Sequence, residues 1–214
     1  MQSDKYSLFF SLCSSVLLGV WADTCLVGCG LGTPDPRNLR GALAGAAQAL
    51  EAQDAKKLFH FIDQRARHAL SSIAHSHDGM CQLIAADYPE NERPSALARL
   101  GDCTPAGSAE ALFVARCGSA CMQALAAQVG APVSEQPQGD EVEVRTSKGT
   151  LLHMHAGTDH WYGIVWKTSE LIEERMQASR ELQAVTENAA VYRKRRELER
   201  GGDGVSGALP TLAK

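Results

Sequence analysis

The sequence predicts a helix-rich α+β fold: several N-terminal helices, a three-stranded antiparallel meander, and a long C-terminal helix. Three observations predict it. Alanine is abundant and proline sparse, with 8 in 214 residues, which favours helices over an all-β sandwich. Helical spacing of apolar residues runs from Leu39 to about Gly130. The period then switches to two between Glu141 and Lys167 and back to a helical one from Ser169. A hydrophobic content of 44% and a charged content of 21% are enough for a buried core. The net charge of -4 gives no general attraction to nucleic acid, and no nucleic-acid partner is expected.

The elements follow in order. Leu39, Leu43, Ala46, Ala47 and Leu50 recur at helical spacing. Gln53-Asp54 breaks that helix, and Asp54 caps a second one with Leu58, Phe59 and Ile62 on its core-facing stripe. Asp63 caps a short continuation through Leu70. Ser71 or Ser72 then caps a further helix carrying Ile73, Met80, Cys81 and Ile84, which ends before Pro89 because the residue before a proline resists the α region. A short helix in "ENERPSALARLGD" stops at Gly101. One more, "SAEALFVARCGSACMQALAAQVG", is capped by Ser108, with Gly118 as its weak point. The strands are Glu141 to Thr146, Thr150 to Ala156 and Trp161 to Lys167, with Gly in the intervening turns. The last helix, Ser169 to about Arg200, extends roughly 46 Å. Gly201-Gly202 ends it, and 201–214 reads as a disordered tail. The globular domain is thus expected over 39–168.

The amino terminus carries an address. Lys5 precedes an apolar run, Tyr6 to Val20, of signal-peptide length and too short for a comfortable span of about 20 residues. One reading cleaves after Ala22 and frees a soluble secreted or periplasmic protein. The other rests on Leu26-Val27-Gly28-Cys29, which resembles the lipobox of bacterial lipoproteins. That resemblance implies a signal peptide over 1–28, an acylated Cys29 as first mature residue, and a domain held in the cell envelope facing the periplasm. Gly30 after the cysteine leans towards the outer membrane. Residues 29–38, rich in Gly and Pro, read as the tether.

Seven cysteines are present. With Cys13 and Cys25 discarded and Cys29 acylated, Cys81, Cys103, Cys117 and Cys121 remain as disulfide candidates in an oxidising compartment. Four cysteines permit three pairings and the sequence selects none; placed on one helix, Cys117 and Cys121 lie within disulfide range but with side-chain vectors that suit each other poorly, which leaves room for partners elsewhere, for example Cys81 with Cys103. A zinc site is the sharper alternative, but the paired C-x2-C spacing is missing.

Residues with chemistry are few. His153 and His155 lie two apart on a strand, about 6.7 Å apart on one face, and are weak metal candidates. Their bland reading is a solvated strand face. Asp159-His160 is an acid–base candidate or simply a turn. His75 and His77, two apart on a helix, point in different directions. No G-x-S-x-G elbow, P-loop or usable G-x-G-x-x-G is present, so no catalytic residue and no cofactor is assigned. The order of helices followed by a meander is similar to NTF2-like α+β domains, on "ALEAQDAKKLFHFID" and "DHWYGIVW". That likeness implies a cone-shaped fold and no catalytic residues. Ala178, Leu182, Val185, Ala189 and Tyr192 form a seam at four-three spacing. The seam serves either packing on the chain's own domain or a partner or second copy through 169–200. The basic run Arg193 to Arg200 suits the end of that helix. The resulting expectation is a membrane-anchored, non-catalytic binding or envelope-assembly component. The alternative is a small-molecule or enzymatic cone using His153, His155 or Asp159-His160.

Overall fold

A computed structural model describes residues 34–101, 103 and 107–202. The signal segment, the lipobox with Cys29, and the stretch beyond Gly202 lie outside the described residues. The helix-rich α+β class is as expected. The helices are α1 (Leu39–Glu51), α2 (Ala55–Phe59), α3 (Gln64–Asp87), α4 (Arg93–Leu100), α5 (Ala109–Arg116), α6 (Ser119–Gln128) and α7 (Thr168–Gly202). The strands are β1 (Pro132–Gln138), β2 (Glu141–Thr146), β3 (Leu151–Ala156) and β4 (Tyr162–Ile164), in one antiparallel sheet of order β1-β2-β3-β4.

Local chemistry places the first helices where the sequence puts them. The Asn38 side chain accepts from the Gly41 N–H to start α1. Gln53 takes a left-handed conformation at the break, and the Asp54 carboxylate then accepts from the Lys57 N–H to start α2. Leu43, Leu50 and Leu58 are buried in the core as their spacing requires; Ile62, expected on the second helix, is also buried but lies beyond the end of α2, where it bridges to Ile164.

Four expectations about the elements need correction. First, the stretches 63–70 and 71–88 are one helix, α3. Ser72 does not cap anything; its hydroxyl donates back to the His68 carbonyl within the helix. Second, "SAEALFVARCGSACMQALAAQVG" is two helices. Cys117 leaves helical geometry (φ -95°, ψ 65°), and Gly118 starts α6. Third, the meander has four strands, because β1 precedes the three foreseen. Its last six residues are exposed, so no alternation marks it, and Pro132 and Pro137 argue against a strand except at an edge, where it lies. Fourth, β4 covers only Tyr162–Ile164. Beyond it Trp166 turns inward to stack edge-on against Phe113, centroids 5.0 Å apart, and Lys167, at positive φ, turns the chain into α7.

The core lies between the helices and one sheet face. Val144, Leu152, Met154 and Ile164 point inward from the sheet to meet Leu58, Leu70, Phe113 and Leu125. Thr146 and Thr150 hydroxyls, both 2.8 Å away, donate to the Gln128 carbonyl, which docks the end of α6 on the β2–β3 hairpin. Among the described residues no helix is long and apolar enough to cross a membrane.

Among the described residues two disulfides are present, Cys81–Cys103 and Cys117–Cys121. The first is the pairing offered as an example above. The second corrects the expectation of poorly matched side-chain vectors at Cys117 and Cys121. That expectation assumed one continuous helix; the break at Cys117-Gly118 brings the two Cα atoms to 5.0 Å. Cys81–Cys103 closes a separation of 22 residues and Cys117–Cys121 one of 4. In the chain-entropy picture these stabilise by about 3 and about 2 kcal/mol. Urea unfolding should therefore show a larger loss for the Cys81→Ser/Cys103→Ser pair than for Cys117→Ser/Cys121→Ser. The reverse order would contradict the loop argument.

Candidate functional site

The surface offers two constellations: a polar cluster where the sheet meets the helices, and a groove between α4 and α7. The cluster begins with the chain leaving α2. Residues 61–63 run alongside β4 as a short parallel bridge, with the Asp63 N–H donating to the Ile164 carbonyl and the Ile164 N–H to the Phe61 carbonyl. The approach is so close that a Cβ on Gly163 would lie 2.7 Å from the Asp63 N and Cα. Only glycine leaves that room.

This places the Asp63 carboxylate, fully buried, at the centre of the cluster. One oxygen accepts from the Arg65 N–H at 3.0 Å and so caps α3. The other accepts from Arg65 Nε at 2.8 Å and from the Thr168 hydroxyl at 3.2 Å. Arg65 reaches on to Asp140 (3.2 Å) and Glu141 (2.6 Å). Burial works against the Arg65 charge, but hydrogen bonds to Glu141 and Asp63 outweigh it, so the guanidinium is held above its ordinary pKa. His155 joins from β3, opposite Glu141 on β2 and Gly163 on β4. Its Nδ1 lies 3.1 Å from an Asp63 oxygen, though off the line of a straight hydrogen bond, and its Nε2 lies 3.6 Å from Asp140.

The two strand histidines therefore share a face, as read from the sequence, but have different surroundings. His155 is half-buried against Asp63. His153 is exposed, with 47% of its side chain open to solvent and Nδ1 3.7 Å from Glu141. Asp159 and His160 do not form a pair. The Asp159 carboxylate accepts from the Trp161 N–H at 3.1 Å and so shapes the β3–β4 turn, while His160 is exposed at positive φ. His77, Cys81 and Cys103 bring their donor atoms within 4.8 Å of one another. Both sulfurs are committed to the disulfide, which leaves only the imidazole as a ready ligand.

The groove follows from how α3 and α7 pack. The two run parallel, in the most extensive contact between any two elements. The seam of α7 faces α3. Leu182 meets Gly79, Val185 and Ala189 pack with Ile84, and Tyr192 packs tilted against Tyr88, ring centroids 4.9 Å apart. At the far end Arg196 donates to the Asp87 backbone carbonyl and, at 2.7 Å, to its carboxylate, which Arg193 also approaches at 3.3 Å. Part of the basic run is thus spent on the end of α3.

Beside this pair, α4 and α5 stand off and leave a cleft of about 610 Å3. Ile73, Met80, Leu100 and Leu112 line it, with His77, Arg99 and the Arg116–Glu174 pair at its polar side. A second cleft of about 430 Å3 shares Met80, Arg99, Leu100 and Glu181 with the first and runs on towards Tyr192. The Cys81–Cys103 bond ties the segment after α4 back to α3. At the other end the Tyr192 hydroxyl donates to Glu92, just before α4. That bond holds the phenol pKa above 10.0, so the contact is present at neutral pH and is lost as the pH rises through the raised value.

Neither constellation was named by sequence reasoning. The cluster had one local signal, Asp63 two residues before Arg65 at a helix start. The groove had one partial signal, the α7 seam, whose Ala178, Val185 and Tyr192 line it, but its other walls come from separate segments. The expected stability consequence is specific. Asp63→Ala leaves Arg65 and His155 without their buried partner and should cost about 3–5 kcal/mol in chemical denaturation. Glu141→Ala, at the partly exposed rim, should cost less than about 1 kcal/mol. Equal losses would mean that the buried carboxylate is not the centre of the cluster.

Compared with family models, curated proteins and solved structures, the chain matches none.

Proposed function

We propose that this protein is a lipid-anchored bacterial envelope component that binds a ligand or partner and does not catalyse a reaction. The observation that carries the binding half is the groove: two confluent clefts with an apolar floor and a rim of mixed charge. A concave apolar surface with a few polar groups is the usual form of a binding site. The address half is carried by Leu26-Val27-Gly28-Cys29 at the end of an apolar run. Acyl chains contribute about 0.8 kcal/mol per buried methylene, so several chains on one cysteine hold a domain firmly.

A second reading, an enzymatic or small-molecule domain, has one observation in its favour. His155 sits half-buried with Nδ1 3.1 Å from the buried Asp63 carboxylate, and an imidazole beside a carboxylate is a pairing that acid–base chemistry uses. His155, His153, Asp159 and His160 line none of the described clefts, so the binding reading is preferred.

Two measurements test the proposal. Cell fractionation should find the native chain with membranes and Cys29→Ala released from them; a native chain in the soluble fraction contradicts the anchor. A photo-crosslinking residue at Ala96, in the groove, should give a discrete adduct in cells that the same residue at Val133, on the exposed edge strand, does not. Absence of adduct at both positions contradicts the groove as a binding site.

A further inference from the structure

We infer that the turn between β3 and β4, led by Trp161, rests on the surface of the bilayer that holds the lipid anchor. The inference rests on the anchoring reading and goes beyond it by naming the face of the domain that meets the membrane. It starts from the point where the tether joins the fold. The tether was expected to run as a free spacer to residue 38, yet its last part is fixed. The Pro36 carbonyl accepts a hydrogen bond from the Tyr162 N–H at 2.9 Å. The Asp35 carboxylate accepts from the Arg37 N–H at 3.0 Å, and the Asp35 carbonyl accepts from the Asn38 N–H. Gly41 lets α1 close over this segment, since a Cβ there would lie 2.1 Å from the Asp35 carbonyl oxygen.

The distance available is therefore short. Between Cys29 and Pro36 the chain advances by seven residues, which span at most about 25 Å when fully extended. Whatever lies beside Pro36 is held within that reach of the headgroups. Trp161 is what lies there, one residue before the Tyr162 that binds Pro36. It is 37% exposed while the other tryptophan of the domain, Trp166, is buried. An indole presents an apolar body and one N–H donor, a combination enriched at membrane–water interfaces.

The surrounding charge fits an anionic surface. Arg37 and Arg40 are exposed on either side of the α1 start. Two acids, Asp35 and Asp159, stand nearby, and Arg67 lies 4.0 Å from Asp159, so Arg37, Arg40 and Arg67 against these two carboxylates leave a formal charge of +1. The basic run from Arg193 is not part of this face. It lies about 38 Å of helix away from Thr168, at the other end of α7.

The test uses the full, processed chain in vesicles of phosphatidylethanolamine and phosphatidylglycerol, with and without brominated acyl chains. Emission of the native chain minus that of Trp161→Phe isolates the Trp161 signal. Bromine should reduce it at least twofold. A variant with about twenty Gly/Ser residues inserted before Thr33, a coil reaching roughly 25 Å, should show at least twofold weaker quenching than the native tether. Mass spectrometry of the same sample separates the two claims. Acyl mass on Cys29 with an unquenched Trp161, or with quenching unchanged by the longer tether, overturns the membrane-facing turn alone. A mature chain without acyl mass overturns the anchoring reading and this inference together.

Discussion

The structure depends on one buried carboxylate. Asp63 caps α3, binds the first residue of α7 through Thr168, holds Arg65 and neighbours His155 on β3. Its own backbone bridges to β4. A charge withdrawn from water costs several kcal/mol unless it is fully paired, and here the pairing comes from elements far apart in sequence. The same point therefore fixes the sheet, the start of α3 and the start of α7. Gly163 is the steric condition for it, since any side chain there would push the Asp63 backbone off the sheet.

Two parallel helices starting from one carboxylate explain the rest of the architecture. Parallel neighbours place their helix dipoles side by side, which is unfavourable, and an acid at the shared N-terminal end offsets it. The opposite end is treated in the complementary way, with Arg196 and Arg193 gathered at the last residue of α3. Between these ends the seam of α7 is taken up by α3. The groove arises because α4 and α5 approach this pair only in part, held by the Cys81–Cys103 bond and the Tyr192–Glu92 contact.

Local signals were legible in the sequence, and those that need a partner were not. Asp54 and Ser108 cap the helices they were expected to cap, and the four-three spacing of Ala178 to Tyr192 marks a face that is in fact used. Ser71-Ser72 looked like a helix start because serine caps well, but it lies mid-helix, where Ser72 satisfies itself on His68. Cys117 and Cys121 were read on a continuous helix, and the single break at Gly118 changed their geometry. Strand β1 gave no alternation because its last six residues are exposed and it is held by β2 alone. The role of Asp63 was half visible: its cap could be read, whereas its contacts with His155, Arg65 and Thr168 exist only once the sheet is in place.

The central claim is that the Asp63–β4 junction is the most tightly held part of the domain. Native-state hydrogen exchange of the Asp63 and Ile164 amides, which form the bridge, tests it most directly. The account predicts that both exchange only through global unfolding, with the free energy measured by denaturant and with the same denaturant dependence. Exchange of these two amides by local opening, while the core amides of α3 stay protected, would contradict it.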